Sequence, residues 1–262
     1  MRVKNNRKEL IKAALGLVEC DLAIKNAQLL NVFTGEIYPA TVFVYDGAIA
    51  HVEYRNLEEG LDKVKNVVDA EGKYLIPGLI DAHMHVESSM LTPRNFAKVS
   101  IPSGTTTIVM DPHEIGNVYG VEGVRYMHDS GEGLPQRQFV DIPSCVPAVP
   151  ECENAGAEFF AKEIEELAEL KRVIGLAEVM DYIGVINQED RMADIIHAAE
   201  RKGLYLQGHA PFVSGRNLSA YLIGGPVTDH ESRTGEEAIE KLRSGMYIDS
   251  RESSITHNVK DI

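Results

Sequence analysis

Two patterns of apolar and polar positions divide the chain. Up to about Ala70, apolar residues come in short runs bounded by turn residues: Leu22 and Ile24 flank Ala23, and Thr41-Val42-Phe43-Val44-Tyr45 is an unbroken β-branched and aromatic stretch. Turn chemistry separates these runs at Thr34-Gly35 and Asp46-Gly47. The second turn, followed by Ala48-Ile49-Ala50-His51-Val52, predicts a hairpin whose glycine supplies a positive φ. Ahead of these runs, Leu10, Ile11, Ala14, Leu15 and Val18 recur at helical spacing. Residues 1–74 therefore read as an N-terminal helix and a small β domain.

From 75 to 262 the pattern changes to apolar strands alternating with amphipathic helices, as parallel βα units require. Strands are expected at 74–81, 106–110, 138–142, 173–178, 204–208 and 226–229, and 245–248 at best begins a seventh. Helices are expected at 158–171, with Phe160, Ile164 and Leu167 on one side, at 189–202, with Met192, Ile195, Ile196 and Ala199 likewise, and at 236–243. Neither a short internal repeat nor a low-complexity segment interrupts the series.

Six or more βα units fit a doubly wound sheet or a (β/α)8 barrel. No Gly-x-Gly-x-x-Gly follows the first strand, which disfavours a dinucleotide crevice; Gly78-Leu79-Ile80-Asp81-Ala82-His83-Met84-His85 stands there instead. Alternate side chains of a strand share a face, so His83 and His85 point the same way, as two ligands of one metal must. Glu178, His209 and His230 also fall at or just past the C-terminal ends of expected strands. In an α/β barrel that end carries the active site, so four imidazoles and a carboxylate would converge on one mouth. The alternative is five unrelated polar strand ends. Nitrogen and oxygen donors without thiolate suit manganese, iron or zinc, and a carboxylate can bridge two such ions.

Composition narrows the partners. The 262 residues carry 26 Lys and Arg against 40 Asp and Glu, a net charge of -14, so nucleic acid and anionic membrane surfaces would be repelled over most of the surface. No apolar run approaches the about 18 residues a membrane helix needs, and the N-terminal apolar stretch is interrupted by Lys12, unlike a signal peptide. Three cysteines, Cys20, Cys145 and Cys152, lack Cys-x-x-Cys spacing and suit a reducing cytoplasm. Small molecules or other proteins are the expected partners and the cytoplasm the expected location, and a homo-oligomer is compatible with both.

The order of these motifs resembles the amidohydrolase superfamily of metal-dependent hydrolases: His-x-His after strand one, a carboxylate after strand four, single histidines after strands five and six. Within it, the stretches 75–90, Met110-Asp111-Pro112-His113-Glu114-Ile115-Gly116-Asn117-Val118, Gly175-Leu176-Ala177-Glu178-Val179-Met180-Asp181 and Gly208-His209-Ala210-Pro211 closely resemble the microbial adenine deaminases. Glu178 stands where many relatives carry a carboxylated lysine, as it does in that branch. The resemblance implies an α/β fold, a (β/α)8 barrel incomplete at six to seven strands, behind a small N-terminal β-sandwich-like domain. It implies a binuclear divalent site, manganese first and iron or zinc otherwise, with His83 and His85 on one ion, His209 and His230 on the other, and Glu178 bridging. The expected reaction is hydrolytic deamination of a purine base, adenine, to hypoxanthine and ammonia. Another cyclic amide or amidine is the alternative substrate, and an inactive metal-binding remnant the alternative role.

His113 and Glu114, expected in the loop after strand two, are the candidate acid and base, against a plain turn or capping role after Asp111-Pro112. Glu87, Ser88 and Ser89 are placed to orient ligands, or the serines to cap the next helix. Cys145 and Cys152 lie seven apart with no preceding proline, unlike the zinc cysteines of another deaminase class, and read as ordinary thiols. His51, His128, His197 and His257 read as structural or solvated. Family barrels also carry an aspartate after strand eight, whereas this chain stops at Ile262. The expectation is a truncated chain, with Asp249 or Asp261 as the available stand-ins.

Overall fold

A computed structural model describes residues 7–57, 61–253, 257 and 259–262, so Ser254 and the first six residues lie outside it. The chain divides into two compact units, Met1–Pro77 and Gly78–Ile262.

In the first unit, α1 (Arg7–Ala14) precedes β1 (Cys20–Leu30), β2 (Ile37–Tyr45), β3 (Ala48–Glu53), β4 (Val64–Asp69) and β5 (Tyr74–Leu75). They form one sheet, β3-β2-β1-β4, with β5 also on β1. β1 and β2 run antiparallel, as do β2 and β3, while β4 and β5 lie parallel to β1. Tyr45 pairs with Ala48 across Asp46-Gly47, and both turn residues have positive φ, 47° and 72°, so the hairpin is the tight one expected. Ala23, Ala27 and Ala40 of this sheet are fully buried. The N-terminal helix is shorter than its apolar spacing suggests: Gly16, φ 67°, ends it, and Ile11 and Leu15 are exposed while Ala13 is buried.

The second unit repeats strand and helix: β6 (Leu79–Met84), α2 (Pro93–Ser100), β7 (Thr105–Met110), α3 (His113–Ser130), β8 (Arg137–Pro143), α4 (Ala161–Leu167), β9 (Val173–Val179), α5 (Tyr182–Asn187), α6 (Asp190–Arg201), β10 (Tyr205–Gly208), α7 (Gly215–Ile223), β11 (Thr228–Asp229), α8 (Gly235–Arg243) and β12 (Tyr247–Ile248). β6 to β10 form a parallel sheet in chain order, and β11 and β12 are a parallel pair. Val227 N–H bonds Leu206 O at 3.1 Å, which seats β11 beside β10. The rings of His83 on β6 and His230 after β11 stack at 4.1 Å, so the sheet curls until its first and sixth strands face each other. This is an incomplete barrel of seven strands in the described residues. Ile108, Met110, Val140, Ile142 and Leu176 join Ile164, Leu167, Met192, Ile195, Ile196 and Leu218 in one buried core.

Three expectations need correction. The strand expected at 74–81 is two strands in different units, because Pro77 has no N–H to continue a ladder and Gly78 lies against β7. A Cβ on Gly78 would stand 2.0 Å from Thr106 Oγ1. The helix at 158–171 shrinks to Ala161–Leu167: Phe160 sits at its N-terminus, 47% exposed, and Phe159 takes the buried place. His113 and Glu114 open helix α3 rather than lying in a loop.

Candidate metal centre

Each candidate ligand stands at the C-terminal end of a strand, and one bulge aims the central one. Between Leu206 and Gly208 of β10 the partner strand β9 advances from Leu176 to Val179, one residue more. Glu178 absorbs the excess with φ 35° and an O···N contact of 2.7 Å to Met180, a backbone state rare for a side-chain-bearing residue. Ser144, just past β8, holds this bend, its hydroxyl reaching both Ala177 O and Glu178 O at 2.8 Å. Tyr221 of α7 donates to Val179 O at 2.7 Å and accepts His209 N–H at 3.0 Å, tying the ends of β9 and β10 together.

The carboxylate so aimed is 2% exposed and meets four imidazoles. Glu178 Oε1 lies 2.7 Å from His83 Nε2, 3.0 Å from His85 Nε2 and 3.3 Å from His230 Nε2, and Oε2 lies 3.4 Å from His209 Nδ1. His83 near the end of β6 and His85 just past it approach nitrogen to nitrogen at 3.1 Å, and His209 Nδ1 and His230 Nε2 at 3.3 Å. Strand alternation thus brings His83 and His85 to one point, and sheet curvature brings the other two.

Whether these atoms suit a cation can be judged from their hydrogens. His85 Nδ1 donates to Asp111 O at 3.0 Å, which leaves the lone pair of the neutral ring on Nε2, facing both Glu178 Oε1 and His83 Nε2. Glu178 Oε2 and His230 Nδ1 are buried without a hydrogen-bond partner among the described residues. Lone pairs gathered this closely repel unless protons or cations lie between them. Of the four groups among the described residues whose donor atoms lie within 4.8 Å of one another, two meet at Glu178 and take in all four imidazoles: His83, His85, Asp111 and Glu178, and Glu178, His209 and His230. The donor set fits divalent metal.

With no cation between them, the same groups draw in protons. Burial works to raise Glu178, but the four imidazoles hold its carboxyl well below the usual range. Burial works to lower His85, but Glu178 and Asp111 push it up to about 9. His83 is likewise raised against its burial by Glu178, while His230, more deeply enclosed among other imidazoles, is lowered.

Beside this cluster stands a second group. His113 Nδ1 donates to Asp111 Oδ2 at 2.9 Å, and its ring meets that of His85 edge to face at 4.7 Å. Burial disfavours its charge, but Asp111 raises His113 far above the ordinary histidine range. Glu114 Oε2 is 3.7 Å from His85 Nδ1, and its Oε1 accepts the Ser88 hydroxyl at 2.7 Å. Glu87 Oε1 accepts Ile115 N–H at 3.4 Å, and burial together with Glu114 pushes Glu87 up to about 7. Ser89 bonds the backbone of its own turn.

Asp111 and Cys145 were not singled out by sequence reasoning as site residues. Asp111 is 1% exposed, immediately after β7, and its place at a strand end was the available signal. Cys145, read as an ordinary thiol, lies within 4.8 Å of Asp111, His113 and Glu178 by its donor atom, and burial raises it to about 12. Nothing in its spacing marked it. Cys152 is exposed. His51, His128, His197 and His257 lie on β3, α3, α6 and an exposed bridge, outside the cluster.

A cavity of about 800 Å³ opens onto the cluster, lined by Asp81, His83, His85, His230, Asp249 and Arg251 among others. Asp249 therefore brings a carboxyl to this wall, whereas Asp261 is not among its lining residues. No described helix is long and apolar enough to cross a membrane.

Residues 74–261 match the model of the Amidohydrolase family. The chain is 45% identical over 254 residues to the adenine deaminase of Desulfatibacillum aliphaticivorans, covering 97% of this chain and 43% of that protein. It is 45% identical over 256 residues to adenine deaminase 2 of Carboxydothermus hydrogenoformans, with the same coverage of 97% and 43%. The chain thus spans less than half the length of these curated relatives. Among solved structures, N-acyl-D-glutamate deacylase from Bordetella bronchiseptica, complexed with zinc and a phosphonate inhibitor, aligns with a TM-score of 0.57 at 16% identity, over 88% of this chain and 57% of that one. At that identity the likeness is one of fold.

Proposed function

The chain belongs to the amidohydrolase family, and from that premise we propose that its site performs the metal-dependent hydrolytic deamination of adenine to hypoxanthine and ammonia. The observation that carries the reading is the convergence of four imidazoles on the buried Glu178 carboxylate at strand C-termini, and the choice of substrate is supported by the adenine deaminases it resembles. His83 and His85 would hold one ion and His209 and His230 the other, with Glu178 serving both, and manganese is the first choice for an all nitrogen and oxygen donor set. When bound, two divalent ions supply Lewis acidity that brings the pKa of water to about 7 and so provides a nucleophile at neutral pH.

The chain's own residues carry the protons. Adding water at carbon 6 and losing ammonia requires the incoming oxygen to give up two protons, one to ring nitrogen 1 and one to the leaving amino group. His113, kept charged by Asp111, is the donor, and Glu114, anchored by Ser88, is the acceptor at the same mouth. Asp111 fixes the orientation of the charged His113 ring by accepting from Nδ1, which makes it a positioning residue. The cavity beside the cluster is of the size a ligand pocket needs. The three cysteines are free thiols, which supports a cytoplasmic setting.

The test is to load the chain with manganese, follow the fall in adenine absorbance and measure ammonia. One ammonia released per adenine consumed is expected. Two bound ions with no ammonia from adenine would reject the substrate assignment.

A further inference from the structure

A buried lysine outside the ligand set ties the last two imidazoles together. Lys241 of α8 has no exposed side-chain surface, and Asp229, its partner at 2.8 Å, has none either. Its Nζ also donates to Ala210 O at 2.7 Å and to Glu237 Oε1 at 2.7 Å, with Ser232 Oγ at 3.2 Å. Three N–H donors thus meet three close acceptors, drawn from the loop after β10, the end of β11 and the helix itself.

Those acceptors flank the histidines. Ala210 follows His209, and Asp229 precedes His230. Asp229 closes the ring, accepting Ala210 N–H on Oδ1 at 2.8 Å and the Ser232 hydroxyl on Oδ2 at 2.7 Å. Glu237 extends it by accepting Phe212 N–H at 2.7 Å and Arg233 N–H at 2.9 Å. The loop after β10 and the loop after β11 are therefore fastened to one ammonium, and the imidazoles they carry stand 3.3 Å apart.

Stability alone does not call for a lysine here, because a buried ion pair is often matched or bettered by hydrocarbon of the same volume. What hydrocarbon cannot do is hold acceptors from separate elements at fixed positions. We propose that Lys241 is a positioning residue that sets His209 against His230 and thereby the affinity of the metal position those two form. This rests on reading the five residues as a two-ion site.

Calorimetric titration of the metal-free chain with manganese tests it, with circular dichroism to follow the fold. Wild type is expected to bind two ions. Lys241→Met is expected to keep the His83 and His85 position within about threefold and to weaken the other by about 10- to 100-fold, as loss of a ligand's supporting contact does. Lys241→Arg, which keeps the charge and the donors, is expected to restore part of that loss. A folded Lys241→Met that binds two ions with wild-type affinities overturns the proposal, and so does equal weakening of both positions. Should Asp229, left unpaired, unfold that variant, Asp229→Asn with Lys241→Met removes both charges; the same selective loss is expected, and an unchanged titration is again fatal. If the double variant also fails to fold, Lys241 is a folding residue and the positioning role is rejected. Wild-type chain binding fewer than two ions would instead sink the two-ion reading.

Discussion

His83 and His230 stack with their ring centroids 4.1 Å apart and their planes 20° from parallel, although one lies near the end of the first strand of the curled sheet and the other follows the sixth. Both present Nε2 to the same oxygen of Glu178, at 2.7 and 3.3 Å. The stack therefore records sheet curvature and site assembly together, and removing one ring should be felt in both.

His83→Ala is expected to lower ammonia release from adenine by more than about a hundredfold, since loss of even an outer contact to a ligand costs about 10- to 100-fold. Manganese should raise the melting temperature of wild type, by an amount corresponding to about 2.7 kcal/mol when free metal is about a hundred times its Kd, and less in the variant. Equal manganese shifts in the two proteins would show that His83 is not a ligand.

Asp141 of β8 is 1% exposed, and burial with the nearby Asp111 charge pushes its carboxyl up to about 7, against which His83 and the hydrogen bond from Gln207 work only partly. Its folded pKa is above its unfolded one, so the folded state holds the proton more tightly between about pH 4 and pH 7. The stability this contributes is full below pH 4 and is lost as pH rises to 7. Asp141→Asn should flatten the stability profile across that window by up to a few kcal/mol relative to wild type. Parallel urea-unfolding profiles for the two proteins from pH 4 to 7 would contradict it.

Tyr221→Phe keeps the ring but removes the hydroxyl that serves Val179 O and His209 N–H. Two buried backbone groups lose a partner, which should cost about 1–3 kcal/mol in chemical denaturation. Because both groups adjoin proposed ligands, manganese affinity should fall as well.

Gly78→Ala places a Cβ 2.0 Å from Thr106 Oγ1 and 2.7 Å from Thr106 Cβ. Overpacking of this kind costs about 1–3 kcal/mol. Adding Thr106→Ala should recover part of it, and strict additivity of the two changes in a double-mutant cycle would show that they do not meet.

Much of this was legible in the chain. The alternation of strand and helix and the Asp46-Gly47 turn reflect local rules, period and turn chemistry, that act within a few residues. The histidines and Glu178 could be nominated because strand C-termini in parallel α/β folds face one end. What failed locally failed for tertiary reasons. Residues 74–81 look like one strand, yet the chain divides at Pro77 and Gly78 and gives its halves to different units. Phe159 and Phe160 are equal candidates by composition, and only packing buries the first.

By itself, then, the sequence determined which residue types stand at which strand ends, because backbone period and side-chain alternation are properties of neighbours in the chain. Distances across the site were decided by the tertiary structure alone. The bulge that turns Glu178 inward, the Asp111 carboxyl against His113, the buried Cys145 and the Lys241 ammonium between two loops all depend on sheet curvature, which brings together residues far apart in sequence. No local rule encodes that curvature, because it arises from the packing of the whole βα series.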